Sequence, residues 1–172
     1  MKTYLICAVF LFVKAVQAQR SEPMIGELSV DELKETDQTE WFMKNYRRYS
    51  PDKKKVEALK NALPDRNVEF KVFFGTWCPD SRREVPRIVK IFDRIGLEED
   101  RFSLIGVNQF KELPKAYAER SDKINLDRVP TLIYYKNDEE VNRYVEFARV
   151  SLLEDLLLIV QEEDYKHSYY TN

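Results

Sequence analysis

Residues 77–81, with the sequence Trp-Cys-Pro-Asp-Ser, have the clearest potential for chemistry. They follow an apolar, aromatic-rich run that ends before Gly75, and they precede a stretch with helical periodicity. Cys78 is therefore predicted at the point where a strand leads into a helix. The unpaired N–H groups and the positive dipole end of a helix N-terminus stabilise a thiolate, which is the reactive form of cysteine. This placement favours a nucleophilic role for Cys78.

The third position after Cys78 is Ser81, where a redox dithiol has its second cysteine. Cys78 therefore cannot close a local disulfide. The hydroxyl of Ser81 can instead donate one hydrogen bond to the sulfur, which favours the charged form. The arginines that follow favour the thiolate as well, whereas the neighbouring acids oppose it, so a modest stabilisation is expected.

Composition limits the classes of function. The 172-residue chain is 44% hydrophobic, which is enough apolar material for one α/β core. Its formal charge of −2 mixes both signs without a polybasic block, so nucleic acid is not an expected partner. The lone histidine, His167, falls in a polar tail, and no metal site is predicted. Four glycines do not make a phosphate-binding loop, and no cofactor is expected.

The N-terminus has the pattern of a secretion signal, residues 1–18. Lys2 supplies a positive start, Tyr4 to Val13 form an apolar core too short to span a bilayer, and Val16-Gln17-Ala18 is a small-residue cleavage pattern. Cleavage after Ala18 leaves Cys78 as the one cysteine of the mature chain. The protein is therefore predicted to be exported, with the periplasm as the expected compartment.

An N-terminal helical extension, residues 19–49, is predicted next. It begins with a polar leader to Leu28, after which Ser29-Val30-Asp31-Glu32 reads as a capping box that opens a helix reaching Tyr49. Ser50-Pro51 then opens another helix that Pro64 ends.

The main domain, residues 50–162, reads as βαβα followed by a hairpin and a last helix. The order predicts parallel pairing of the first two strands and antiparallel pairing in the hairpin. The elements are an aromatic strand from Val68, a helix after Cys78 with Pro86 inside and Gly96 as its cap, a strand over Phe102 to Val107, a short helix over Leu113 to Arg120, a hairpin over Thr131 to Phe147, and a helix opened by a capping box at Ser151. Residues 163–172 are predicted to be a flexible tail.

These features together resemble the thioredoxin superfamily over residues 50–162. A tryptophan precedes the cysteine, Pro86 follows it by eight residues, and a Val-Pro-Thr segment opens the hairpin. The resemblance implies a thioredoxin-like fold, with a central mixed sheet flanked by helices and with Pro130 in the cis form near Cys78. It also implies a groove in which the backbone of Val129 pairs with an extended substrate. The substrate-binding residues expected on this basis are Trp77, Pro79, Asp80, Val129, Pro130 and Thr131.

Two departures from the family pattern bear on function. Ser81 replaces the resolving cysteine, and Val72 stands where many thioredoxins bury an aspartate. The first hypothesis is a monothiol enzyme, with Cys78 and Ser81 as catalytic residues, that isomerises disulfides or reduces mixed disulfides. Its substrate is a protein or small-molecule disulfide, and an external thiol is the reductant.

Two alternatives remain open from the sequence. The chain could be a redox-inactive binding or adaptor module that uses the cis-proline groove. Cys78 could also be purely structural, as a buried apolar side chain or as the partner in one intermolecular disulfide.

Overall fold

The computed structural model describes residues 22–35, 39–64 and 66–170. The helices are α1 Val30–Glu35, α2 Glu40–Arg48, α3 Lys53–Ala62, α4 Pro79–Ile95, α5 Ser121–Ile124 and α6 Leu152–Val160, and 3₁₀ turns cover Glu99–Arg101 and Lys115–Arg120. The strands are β1 Gly26–Leu28, β2 Val68–Phe74, β3 Phe102–Gly106, β4 Thr131–Lys136 and β5 Glu139–Val145. The predicted secretion signal lies outside the described residues. None of the helices within the described ranges combines the length and apolar composition needed to cross a bilayer.

The five strands form one mixed sheet in the order β1-β3-β2-β4-β5. β2 and β3 are parallel and are joined through α4, whereas β4 is antiparallel to both β2 and β5. The predicted α/β architecture, with a mixed sheet flanked by helices, is therefore confirmed. Because β2 and β3 are parallel, the carboxyl end of β2, from which Cys78 follows, lies next to the carboxyl end of β3.

Successive side chains of the central strands enter two apolar layers on opposite faces of the sheet. On β2, Phe70, Val72 and Phe74 pack in the larger layer, which includes residues of α1, α2, α3, α4 and α6. Phe73 faces the smaller layer, which Ile124 of α5 and the 3₁₀ turn before it cover. The aromatic run predicted as a strand is therefore buried on both faces, as is typical of a central strand.

The N-terminal extension differs from its prediction in two respects. Residues 26–28, expected in a polar leader, form the edge strand β1, which pairs with β3. Three residues are too few to show strand periodicity, and the free edge of β3 decides their conformation. The expected single helix is two, α1 and α2, and its capping box is confirmed: Ser29 N–H donates to Glu32 Oε2 at 2.7 Å and Glu32 N–H donates to Ser29 Oγ at 3.1 Å.

The next helix begins later than expected. α3 starts at Lys53 after Asp52, whose carboxylate accepts from Lys55 N–H at 2.9 Å, and not at Ser50-Pro51. Asp52 is a strong N-cap, and its side-chain hydrogen bond places the boundary. α2 packs against α4, and Phe42 of α2 is fully buried in the larger apolar layer, together with side chains of the sheet. The extension is thus part of the main core.

Residues 163–170, predicted as flexible tail, pack against the sheet and α6. Tyr165 is buried, and its hydroxyl donates to Asp155 Oδ2 at 3.0 Å, while Asn142 Nδ2 donates to the Tyr165 carbonyl at 3.0 Å. Ser168 Oγ lies 2.8 and 2.7 Å from the carbonyl oxygens of Val145 and Phe147, and its hydroxyl can donate to either of them. The structure differs from the predicted flexible tail over residues 163–170. These polar residues find specific hydrogen-bond partners that become available only in the folded domain.

Candidate functional site

Cys78 is the N-cap residue of α4 and ends the turn that follows β2. Its N–H donates to the Gly75 carbonyl at 2.9 Å, and its own carbonyl accepts from Arg82 N–H at 3.0 Å. Pro79 occupies the first helical turn, where its missing N–H costs nothing. The sequence prediction that the cysteine stands at the N-terminus of a long helix is therefore confirmed.

The thiol of Cys78 contacts a part of the chain that is distant in sequence. Sγ lies 3.2 Å from the carbonyl oxygen of Val129, in the turn before β4. The Val129–Pro130 peptide bond is cis, as the resemblance implies. The side chain of Cys78 is only 6% exposed and packs against Val107 and Val129. The fold thus brings three of the predicted site residues, Cys78, Val129 and Pro130, to one place.

Trp77 forms the half-buried wall of this site. Its indole Nε1–H donates to the Val107 carbonyl, just beyond the end of β3, at 3.0 Å. The ring lies directly over Gly75, where a Cβ atom would be 2.5 Å from Cε2. Gly75 is therefore required by the close approach of the indole ring.

Ser81 is fully buried, and its hydroxyl acts differently from the prediction. Oγ accepts a hydrogen bond from Gly75 N–H at 3.2 Å, whereas the hydrogen bond of the Cys78 sulfur is the one to Val129. The expected hydrogen bond from Ser81 to the sulfur is not formed. Side chains in the first turn of a helix point back toward its N-terminus, which is where Gly75 N–H meets the Ser81 hydroxyl. Ser81 holds the turn that precedes the cysteine.

The remaining predicted binding residues are divided between the surface and the interior. Pro79 is exposed, and Asp80 is half-buried with Oδ1 at 2.7 Å from an Arg83 guanidinium nitrogen. Thr131 is buried, and its hydroxyl donates to the Arg128 carbonyl at 2.7 Å. Thr131 therefore stabilises the turn before β4, and Pro79 and Asp80 are the ones accessible to a partner.

Four charged residues of α4 are paired with each other, namely Asp80, Arg83, Glu84 and Arg87. Glu84 is 4% exposed, and its Oε1 lies 2.6 Å from Arg83 Nε and 3.1 Å from an Arg87 nitrogen. Partial burial opposes protonation of Arg83, but hydrogen bonds to Glu84 and Asp80 outweigh it and raise the pKa of the guanidinium. Arg83 therefore neutralises acids of its own helix, and it is not held free for the sulfur.

Sequence reasoning missed the residues that brace the turn from outside. Arg82 Nε donates to the Thr76 carbonyl at 2.5 Å, and Thr76 Oγ1 accepts from Met24 N–H at 3.2 Å. Asn45 of α2 donates through Nδ2 to the Arg82 carbonyl at 3.0 Å. Arg82 and Lys90 of α4 also lie over the rings of Trp41 and Tyr46 of α2, at 6.0 and 5.0 Å from the ring centres. Basic residues on α4 and aromatic residues on α2 are a signal in the sequence for this packing.

His167 is in the packed tail, where burial, followed by the charge of Arg143, lowers the pKa of its imidazole. Across the described residues, no group of three or more Cys, His, Asp or Glu side chains is arranged to hold a metal ion.

Comparison with known proteins finds similar folds but no named activity. No protein-family profile and no curated protein sequence matches the chain. Its structure is similar to the crystal structure of a protein of unknown function from Pseudomonas aeruginosa, with a TM-score of 0.58 and 13% identity over 80% of this chain and 93% of that one. It is also similar to an HIV epitope-scaffold, with a TM-score of 0.50 and 14% identity over 72% of this chain and 82% of the scaffold. At these identities the likeness concerns the fold alone.

Proposed function

We propose that this protein is an exported, thioredoxin-like monothiol protein that acts in thiol–disulfide exchange through Cys78. The observation that carries the proposal is the position of Cys78 as the N-cap residue of the 17-residue helix α4. A helix of this length offers unpaired N–H groups and a positive dipole end to a thiolate. The cis bond at Pro130 and the neighbouring Trp77 also agree with the thioredoxin-like pattern.

The proposed reaction proceeds in two exchanges. The Cys78 thiol loses its proton to solvent, and the thiolate attacks one sulfur of a substrate disulfide. A bond forms between the two sulfurs, the old disulfide bond breaks, and the other sulfur leaves as a thiolate with the electron pair. A second thiol, from an external reductant or from the substrate, then attacks the mixed disulfide and releases Cys78. Because Ser81 cannot perform this second attack, the outcome is isomerisation or reduction of mixed disulfides.

A second candidate, a redox-inactive binding module, is favoured by the state of the thiol itself. Cys78 is buried, and its sulfur reaches the Val129 carbonyl through a hydrogen bond that only the protonated thiol can donate. In this candidate the groove beside Trp77 and Pro130 binds an extended segment without covalent chemistry.

Labelling of Cys78 as a function of pH distinguishes the two candidates. The protein carries Cys7→Ser so that one thiol remains, and the folded chain is compared with the same chain unfolded in urea. Exchange predicts that folded Cys78 is alkylated faster than unfolded Cys78 near pH 7 and that it forms mixed disulfides, which Cys78→Ala abolishes. The control variant is Ser103→Ala, which lies on β3 outside the site and should react as the wild type does.

Either result is decisive. Slow labelling at every pH, together with no mixed-disulfide turnover, would exclude the exchange reaction and leave the binding module or a purely structural Cys78. Export is tested separately by sequencing the N-terminus of the protein recovered from the extracytoplasmic fraction. We expect Gln19 as its first residue, because the cleavage pattern ends at Ala18.

A further inference from the structure

An exposed aromatic surface lies beside the turn that contacts Cys78. It consists of Arg128, Phe147 and Tyr169, here called the aromatic shelf. The Arg128 guanidinium carbon lies 3.7 Å from the centre of the Tyr169 ring, which is stacking distance for a cation and an aromatic ring. The rings of Phe147 and Tyr169 meet edge to face with their centres 5.6 Å apart. Phe147 is 43% exposed and Tyr169 is 36% exposed.

Hydrogen bonds connect the aromatic shelf to the cis-proline turn. Arg128 immediately precedes Val129, whose carbonyl contacts Cys78. Glu146 N–H donates to the Pro130 carbonyl at 2.7 Å, and the Glu146 carboxylate accepts from the Tyr169 hydroxyl and pairs with Arg128 at 3.4 Å. The shelf is therefore held next to the site by main-chain and side-chain bonds.

The path from the shelf to the thiol is short. Pro130, whose carbonyl accepts from Glu146 N–H, directly follows Val129, whose carbonyl lies 3.2 Å from Cys78 Sγ. The shelf is therefore adjacent to the residues that contact the thiol.

The chemistry of the aromatic shelf selects its occupant. The charge of Arg128 is balanced by Glu146, so the shelf presents flat apolar rings and no net charge. The two exposed rings are already held in place by their contacts. They therefore offer apolar area to a partner without the entropic cost of ordering them on binding. A small anionic thiol such as glutathione, with two carboxylates and one ammonium, would meet only Arg128, whose charge Glu146 already balances. An apolar side chain of a polypeptide does.

Resting on the proposed function, we propose that the substrate is a cysteine-containing polypeptide and that the aromatic shelf binds an apolar or aromatic side chain close to the reacting cysteine. Residues of an extended chain are about 3.3 Å apart, so a side chain within three residues of the cysteine reaches about 10 Å along the surface. The shelf makes the protein discriminate between polypeptide and small-molecule disulfides.

Peptide disulfides that release a coloured thiolate test the proposal on the full chain carrying Cys7→Ser. A single cysteine in each peptide is joined to 5-thio-2-nitrobenzoate, and one Phe is placed in turn at each position within three residues of it. A Ser-only peptide and the glutathione adduct are the references. Cys78 thiolate attacks the peptide sulfur, and the nitrobenzoate thiolate leaves with the electron pair. We expect the best Phe peptide to react about tenfold faster than the Ser peptide.

Four variants locate the preference. Phe147→Ser and Tyr169→Ala should reduce the tenfold ratio to about one while leaving the rate with the glutathione adduct unchanged. Tyr169→Phe keeps the ring and should keep the ratio. Tyr170→Ala is the matched control, because Tyr170 is also exposed in the tail but packs against His167 and Lys166. Equal rates for the Phe and Ser peptides, or a ratio that survives both Phe147→Ser and Tyr169→Ala, would overturn the proposal.

Binding without reaction separates this proposal from the proposed function. The same peptides with serine in place of cysteine are titrated into the Cys78→Ser variant, and the dissociation constant is measured by calorimetry. If Cys78 proves inert but the Phe peptide binds about tenfold more tightly than the Ser peptide, the shelf stands and the exchange function falls. If neither peptide binds in preference, the shelf proposal fails whatever the reactivity of Cys78.

Discussion

Replacement of Gly75 by alanine should disturb the candidate site through the indole ring of Trp77. A Cβ atom at position 75 would lie 2.5, 2.6 and 2.9 Å from three atoms of that ring. Carbon atoms in favourable contact are about 3.5–4.0 Å apart, so the ring must move by about 1 Å. That shift lengthens the 3.0 Å hydrogen bond from Trp77 Nε1 to the Val107 carbonyl beyond hydrogen-bonding distance.

The cost follows from these two changes. Loss of the indole hydrogen bond costs about 1 kcal/mol, and overpacking of the turn adds about 1–2 kcal/mol. We therefore expect Gly75→Ala to lower the free energy of unfolding by about 2–3 kcal/mol, measured by urea denaturation followed by circular dichroism. Because Trp77 packs in the same cluster as Cys78, its displacement should also accelerate alkylation of that thiol in the folded protein.

Gly96→Ala is the control for a glycine that is needed for a different reason. Gly96 has a φ of 71° at the C-terminus of α4, and no heavy atom lies within 4 Å of a Cβ built there. Alanine in this left-handed conformation costs about 1–2 kcal/mol but should leave the labelling rate of Cys78 unchanged. The reasoning would be refuted if Gly75→Ala labelled Cys78 at the wild-type rate and was no less stable than the wild type.

Three further substitutions test other parts of the structure. Asp155→Asn should lower the free energy of unfolding in urea by about 2–3 kcal/mol, because the fully buried carboxylate accepts from two main-chain N–H groups and from Tyr165; Asp164→Asn, in the exposed tail, should not. Tyr134→Phe should raise the free energy of unfolding by about 1 kcal/mol, since the buried hydroxyl has no hydrogen-bond partner among the described residues. Ser29→Ala removes the capping box and should cost about 1 kcal/mol without changing Cys78 labelling. The same substitution at Tyr134 should also change how the stability of the protein depends on pH in the alkaline range. Burial raises the pKa of Tyr134 to about 12, so the folded state favours the neutral phenol. Its contribution to stability is complete below pH 10 and is lost as the pH rises toward 12. Tyr134→Phe should therefore weaken the loss of stability over this range. A wild-type pH profile in the Tyr134 variant, a Ser29→Ala protein as stable as wild type, or an Asp155→Asn protein that unfolds at the wild-type urea concentration would contradict these assignments.

The elements around the site were predictable because their signals are local. The aromatic run of β2, the αL glycine at the end of α4 and the capping box of α6 each act within a few residues, and each is found where it was expected. The edge strand β1 and the packed tail were not predictable in this way. β1 is ordered by pairing with β3, and the tail by the buried carboxylate of Asp155, so both depend on partners far away in the chain.

The candidate site divides along the same line. The position of Cys78 at a helix N-terminus follows from the residues on either side of it. The role of Ser81 does not, because its hydroxyl had two acceptable partners and the geometry of the turn selected Gly75. The buried Glu84, shared by two arginines, showed no sign in the sequence that it differs from an ordinary surface acid.

Local sequence was enough to specify the order of strands and helices around the site and the residue that begins α4, since hydrophobic periodicity, capping and proline placement act over one or two turns of chain. Folding of the whole chain was needed to bring the Cys78 sulfur to the Val129 carbonyl, 51 residues away, and to carry Tyr169 of the tail onto Arg128. Those contacts form when the helices and the tail pack against the sheet. They depend on the whole core, and no local pattern of residues specifies them.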